Sequence, residues 1–223
     1  MDDVVVSLDY NYDKDNKILF IQNIENITKD YIANIIEKYN INIDNNEISV
    51  SIGRSVKHIK EYAFYNMNII NLDFGYTSNI ISIGKYAFAK NKITELELPF
   101  NIGDSPKGLS YPYNIIDTVQ TISIGDYAFA DNPIQNLVPS TKKMVFGHNV
   151  FLNNKFDKST YQNIFEKCLE NKTLDKDQLK KECESKEIEC LKNNTPDKDQ
   201  LKKDCKSKKF ECLLEKCIYN NSF

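Results

Sequence analysis

Ser82-Ile83-Gly84-Lys85-Tyr86-Ala87-Phe88 decides the fold of this chain, because the phrase recurs. It returns as Ser123-Ile124-Gly125-Asp126-Tyr127-Ala128-Phe129 and, in altered form, as His58-Ile59-Lys60-Glu61-Tyr62-Ala63-Phe64. A worn copy is Phe146-Gly147-His148-Asn149-Val150-Phe151. Ile59 and Ile83 are 24 residues apart, Ile124 and Phe146 are 22 apart, and Ile83 and Ile124 are 41 apart, one period with 17 residues added. Self-similarity at about 20–29 residues marks a leucine-rich solenoid, whose coils bury their apolar faces only against one another.

Each copy continues alike. Five residues after the Phe stands Ile69, Ile93, Ile134 or Phe156, and three further on Leu72, Leu96 or Leu137. Leu72-Asp73-Phe74 and Leu96-Glu97-Leu98 alternate as a strand with one buried face does. In the third copy Val138 breaks the alternation and Pro139 ends it. Phe64, Phe88 and Phe129 are expected to fill the space between layers. Ala63, Ala87 and Ala128 are small where one turn passes the next. Gly84 and Gly125 suit a bend with unusual backbone angles, and Lys60 in that place predicts a different first bend.

The stretch from Ser82 to Pro99 resembles the BspA-type leucine-rich repeat, whose units read SIGxxAF..N.I..L.LP, and Ser123 to Pro139 resembles it well. The resemblance covers about residues 48–154. It implies a short solenoid in an α/β repeat fold, working as a non-enzymatic scaffold for binding protein. Such repeats occur in bacterial surface proteins, protists and large DNA viruses, and the Ile, Asn and Lys bias suits the last two.

Outside the repeats, residues 1–47 read as an N-terminal cap. Val4-Val5-Val6-Ser7-Leu8 and Ile18-Leu19-Phe20-Ile21 are expected as strands around an Asp13-Lys14-Asp15-Asn16 turn. Thr28 is placed to cap a helix running to about Tyr39, with Tyr31, Ile32, Ile35, Ile36 and Tyr39 on one face. Repeats occupy 48–156, with an insertion at 100–118 that carries Tyr111 and Tyr113. Residues 157–223 form a helical Cys-rich tail, its first helix expected over about 159–170. The tail has its own repeat: Thr173 to Cys183 returns 22 residues later as Thr195 to Cys205, and Thr195-Pro196-Asp197 is a strong helix start.

All six cysteines lie in the tail. Cys183 and Cys190, seven apart, share one helix face about 10 Å apart, too far to bond each other or share one zinc. Free thiols as small packing residues, interhelical disulfides, and metal binding all remain open. Cys183 and Cys205 stand nearly equidistant from a turn near Asn194, which makes them the pair for a single bridge.

A net charge of −3 argues against a nucleic-acid or anionic-membrane partner. The N-terminus lacks a signal-like apolar stretch, and no run approaches the ~18 apolar residues of a membrane helix. The expectation is a cytoplasmic protein, in host cytoplasm or a virion if its source is viral. No cofactor is called for. Gly103 to Ser110 has phosphate-loop glycine spacing, but Leu109 replaces the lysine. Asp9, Asn11 and Asp13 lack the Gly and Glu of a calcium loop. His58 and His148 have no partner evident in the sequence for nucleophilic catalysis. The expected partner surface is the outward strand face, Asn71, Asp73, Thr94, Glu95 and Glu97, with Tyr111 and Tyr113 beside it; its acids would meet a basic protein patch. The alternative is an assembly protein cross-linked or stapled through the tail. Identity of the partner and oligomeric state are not written in the sequence.

Overall fold

The computed structural model describes residues 9–75, 78–99, 121–138, 144–157, 159–160 and 176–192, with residues 202, 205, 208, 209 and 212. Each repeat contributes one strand to each of two faces. The first face is a five-stranded parallel sheet in the spatial order β11-β9-β7-β5-β3, made of Met144–Phe146, Ile122–Ile124, Ser82–Ile83, His58–Ile59 and Asn26–Ile27. The second begins with β1 (Tyr10–Asp13), β2 (Ile18–Ile21), β4 (Ile48–Ile52) and β6 (Ile69–Asp73). It resumes as a separate parallel pair, β8 (Glu95–Glu97) with β10 (Asn136–Val138).

Turns join the faces, and they too are bonded from layer to layer. Phe64 N donates to Ala87 O at 2.8 Å, Phe88 N to Ala128 O at 2.8 Å, and Phe129 N to Val150 O at 3.0 Å. The rings stack along this line: Phe64, Phe88, Phe129 and Phe151 follow one another at 5.0, 5.4 and 5.8 Å. All four are buried. The ring spacing hardly changes although the sequence spacing does. Ser82 pairs with Ser123 and Ile83 with Ile124, so the 17 added residues are looped out without a gap in this ladder.

Gly84 and Gly125 serve a different purpose from the one the sequence suggests. Neither adopts a positive φ. A Cβ at Gly84 would lie 2.5 Å from Glu61 N, and one at Gly125 2.6 Å from Lys85 N. The glycine is needed because the next layer's backbone passes there. Lys60 is tolerated because the layer before it leaves the pattern and enters a helix. The left-handed positions are instead Tyr62, Tyr86, Tyr127 and Asn149, with φ of 57°, 54°, 57° and 53°.

That helix, α1 (Lys29–Tyr39), starts where Thr28 Oγ1 accepts from Tyr31 N at 3.1 Å. It buries Ile32 and Ile35 and ends at Asn40, whose φ is 50°. The segment around α1 does not stand apart from the ladders: β3 and β4 pair in parallel with β5 and β6. The α1 layer thus runs like a repeat in which a helix replaces the turns. The strand facing Ile18–Ile21 is Tyr10–Asp13 rather than Val4 to Leu8. Asp13 Oδ1 accepts from Asp15 N and Asn16 N, each at 3.0 Å, which closes the hairpin immediately after Asp13 and fixes Tyr10 to Asp13 as its arm. Val4 to Leu8 lie outside the described residues.

Three asparagines satisfy what the turns leave unpaired. Asn91 Oδ1 accepts from Met67 N at 3.0 Å and Ile69 N at 3.1 Å, while Nδ2 donates to Phe64 O and Phe88 O at 2.8 and 2.9 Å. Asn132 repeats this with Ile93 N, Phe88 O and Phe129 O, and Asn154 with Ile134 N and Phe129 O. Asn132→Ala strands these groups in a dry interior, at a cost of about 2–4 kcal/mol. Urea unfolding checks this; a midpoint within error of the parent refutes the assignment.

Candidate binding face

Alternation aims the second face's side chains. Leu72, Phe74, Leu96 and Leu98 are buried, while Asn71, Asp73, Thr94, Glu95 and Glu97 are all exposed. The outward residues form rows across the strands. Asn71 Nδ2 donates to Ser49 Oγ at 3.1 Å, Ser51 Oγ to Asp73 Oδ2 at 3.5 Å, and Asn136 Nδ2 to Glu95 Oε1 at 3.5 Å. Glu97 has no hydrogen-bond or ion-pair partner among the described residues. Tyr111, Tyr113 and the rest of the 100–118 insertion lie outside the described residues.

The face is split where β6 meets β8. These neighbours form no hydrogen-bonded ladder, although Lys92 N still donates to Ile69 O at 2.8 Å at one end. Two features explain the split. Ile70 is an extra residue in β6, where the register jumps from Ile48↔Ile69 to Ser49↔Asn71. Asp73 and Glu97 occupy equivalent places in adjacent layers, and like charges side by side oppose pairing. The opening holds about 320 Å³, walled by 72–75 on one side and 97–99 on the other. Partial burial and, after it, the Asp73 carboxylate hold the Glu97 carboxyl above the usual carboxylate range. Sequence reading found the acids but missed the groove; the stacked acids of the two aligned copies were the available signal.

The histidines do have neighbours, in adjacent layers. His58 Nδ1 is 2.8 Å from Ser82 Oγ, and His148 Nδ1 is 3.3 Å from Asp126 Oδ1. Both are cross-layer pairs at matching repeat positions, so a period away in sequence, which is why they were overlooked. The Glu25 carboxylate near His58 is held by Lys57 Nζ at 3.0 Å rather than orienting the ring as a catalytic third member would. Asp126 also accepts from His148 N at 2.7 Å, which, as the largest cause, holds its carboxyl below the usual range.

In the tail, α2 (Lys176–Leu191) faces helical residues that include Cys205, Lys209 and Cys212. The bridges are Cys183–Cys212 and Cys190–Cys205, with Cα separations of 5.6 and 5.4 Å. The expected Cys183–Cys205 pair is therefore corrected, and so is the reading of free thiols: among the described residues no cysteine is free. The inner bridge spans 15 residues and the outer 29, so each helix advances seven residues, two turns, between them. Antiparallel helices can use both pairs at once only in this crossed arrangement. A Cys183–Cys205 bond would leave Cys190 and Cys212 out of line. Lys209 adds an ion pair to Glu187 at 3.1 Å. The predicted starts at Thr195-Pro196-Asp197 and most of 159–170 lie outside the described residues.

The chain belongs to the BspA type leucine-rich repeat family, whose six-copy region matches residues 15–109 and 107–198. Proteins built on such repeats are in general protein-interaction scaffolds. The match starts within the β1–β2 hairpin, in keeping with the ladders that run through the α1 layer. No curated protein and no solved structure matches the chain. No described helix is long and apolar enough to cross a membrane.

Two outcomes test this geometry. Because the folded pKa of Glu97 is raised, its ionised form opposes folding, a penalty absent below about pH 4.5 and complete above the folded pKa. Glu97→Gln is expected to melt at or above the parent at pH 7, with the difference vanishing in acid; a lower melting point at pH 7 refutes it. In unreduced protein, alkylation under denaturing conditions should leave Cys183, Cys190, Cys205 and Cys212 unmodified. Peptide mapping should return the two crossed bridges, and Cys183 recovered bonded to Cys205 would contradict the structure.

Proposed function

We propose that this protein is a non-enzymatic scaffold that binds a basic patch of a partner protein through the second strand face. The observation that carries this is the exposed acidic row Asp73, Glu95 and Glu97 on strands whose opposite sides are the core. In this reading the molecule is a short solenoid with residues 1–47 as its end piece, 48–156 as the binding part and 157–223 as a stapled tail. The 100–118 loop, with Tyr111 and Tyr113, would extend the surface. Asn71 and Thr94 supply neutral hydrogen-bonding groups beside the acids. A fixed strand face presents them with little ordering cost on binding.

A second reading is favoured by the two bridges of the tail. They join residues of one chain, which fits a stapled structural unit better than a cross-link between chains. Disulfides also persist in oxidising compartments rather than in a reducing cytoplasm. The tail therefore favours maturation in an oxidising environment.

Immobilised parent protein and the Glu95→Ala/Glu97→Ala double variant, offered the same mixture of basic proteins, are compared at physiological salt. The parent should retain proteins that the variant loses, by roughly tenfold or more in affinity for two charge contacts. Equal retention by both overturns the assignment of this face.

A further inference from the structure

The opening between β6 and β8 has the chemistry of a receptor for one particular side chain. Its floor is apolar, formed by Leu72, Phe74, Leu98 and Pro99, all buried. Its rim carries two carboxylates from neighbouring strands, Asp73 and Glu97. No described cation pairs with either. Lys92, the lysine of the same layer, is turned to the other end, with its Nζ 3.0 Å from Glu47. A volume of about 320 Å³ is at the small end of ligand-sized sites, enough for one long side chain and its flanking backbone.

Resting on the strand-face reading above, we propose that this groove takes an arginine side chain from an extended segment of the partner protein. An arginine has an apolar stem to lie along the floor and a planar fork whose donors reach two acceptors at once. Adjacent strands set those acceptors about 5 Å apart, a span that a guanidinium bridges and a single ammonium point charge serves less well. A divalent ion fits worse: calcium seeks about six to eight oxygens, and this floor is hydrocarbon. A guanidinium would also neutralise the repulsion between Asp73 and Glu97, so binding would relieve the conflict that keeps the strands apart.

The test uses the full, oxidised chain, isotopically labelled, titrated with N-acetyl-arginine amide and observed by amide NMR. Saturable shifts are expected at 72–75, Glu97 and Leu98. N-acetyl-citrulline amide, the neutral isostere, should bind at least about tenfold more weakly. Glu97→Gln and Asp73→Asn should each weaken the arginine response by several-fold, with amides of the Phe ladder unchanged to show that both variants fold. No saturable response, equal response to citrulline, or shifts spread over all exposed acids would overturn the proposal. So would calcium chloride reproducing the arginine shifts. If arginine gives nothing while Glu95→Ala/Glu97→Ala still loses its retained proteins, the wider face stands and the groove falls. If arginine binds and retention is unchanged, the groove stands without that face.

Discussion

Buried backbone groups at the turns are the constraint on which the rest of this structure depends. A parallel stack of short strands pairs its own backbone well, but each change of direction leaves carbonyls and amides inside the hydrocarbon core. Phe64 O, Phe88 O and Phe129 O are such groups, and Asn91, Asn132 and Asn154 reach across to satisfy them. Each amide side chain supplies donors and an acceptor at once, the combination a turn in a dry interior requires. Asn91 ties the Phe64 turn to its own layer, and Asn132 ties the Phe88 turn to the next. The layers are thus coupled by polar bonds that tolerate no slip in register, and the phenylalanine rings stack as a consequence.

The same demand explains an otherwise costly choice. Tyr62, Tyr86 and Tyr127 hold positive φ angles, which bulky residues avoid. Asparagine is the ordinary solution, and Asn149 provides it in the last copy. The tyrosines offset the strain by stacking face to face, at 5.1 and 4.9 Å, and by covering the turn from solvent. Lys85 and Lys90 lie over Tyr86 and Tyr65 at 5.6 Å, further shielding this edge. The row is therefore accounted for by contacts between layers, and it needs no ligand.

Much of this was legible in the residues. The Ile-Gly-x-x-Ala-Phe phrase carried the layers, and Thr28 with its apolar stripe carried α1. What escaped is what depends on neighbours a full period away. The glycines looked like bends because sequence shows a residue's own backbone freedom and not the backbone that passes beside it. The α1 segment looked like a separate end piece because helical spacing hid Ile27, which pairs in the ladder beside Ile59. The disulfide pairing failed because symmetry about Asn194 was assumed. The identical seven-residue spacing on both helices already required crossed bridges if all four cysteines were to be used. The histidine partners, Ser82 and Asp126, were hidden by the same distance of one period.

A periodic stack also tells where to look for departures from it. Wherever successive layers repeat the same residues, strands, turns and rings are mutually satisfied and present little that a partner could improve. At β6 and β8 the pattern is broken twice, by the inserted Ile70 and by acid beside acid. Neither helps the fold: the bulge forfeits ladder bonds, and the carboxylates repel. Their neighbours show that the chain can do otherwise, since Ser49 meets Asn71 and Ser51 meets Asp73 in bonded cross-strand pairs. A locally frustrated pair at the centre of an exposed face, above an apolar floor, is where local stability has been given up. It is therefore the place on this molecule where an added positive charge has most to gain.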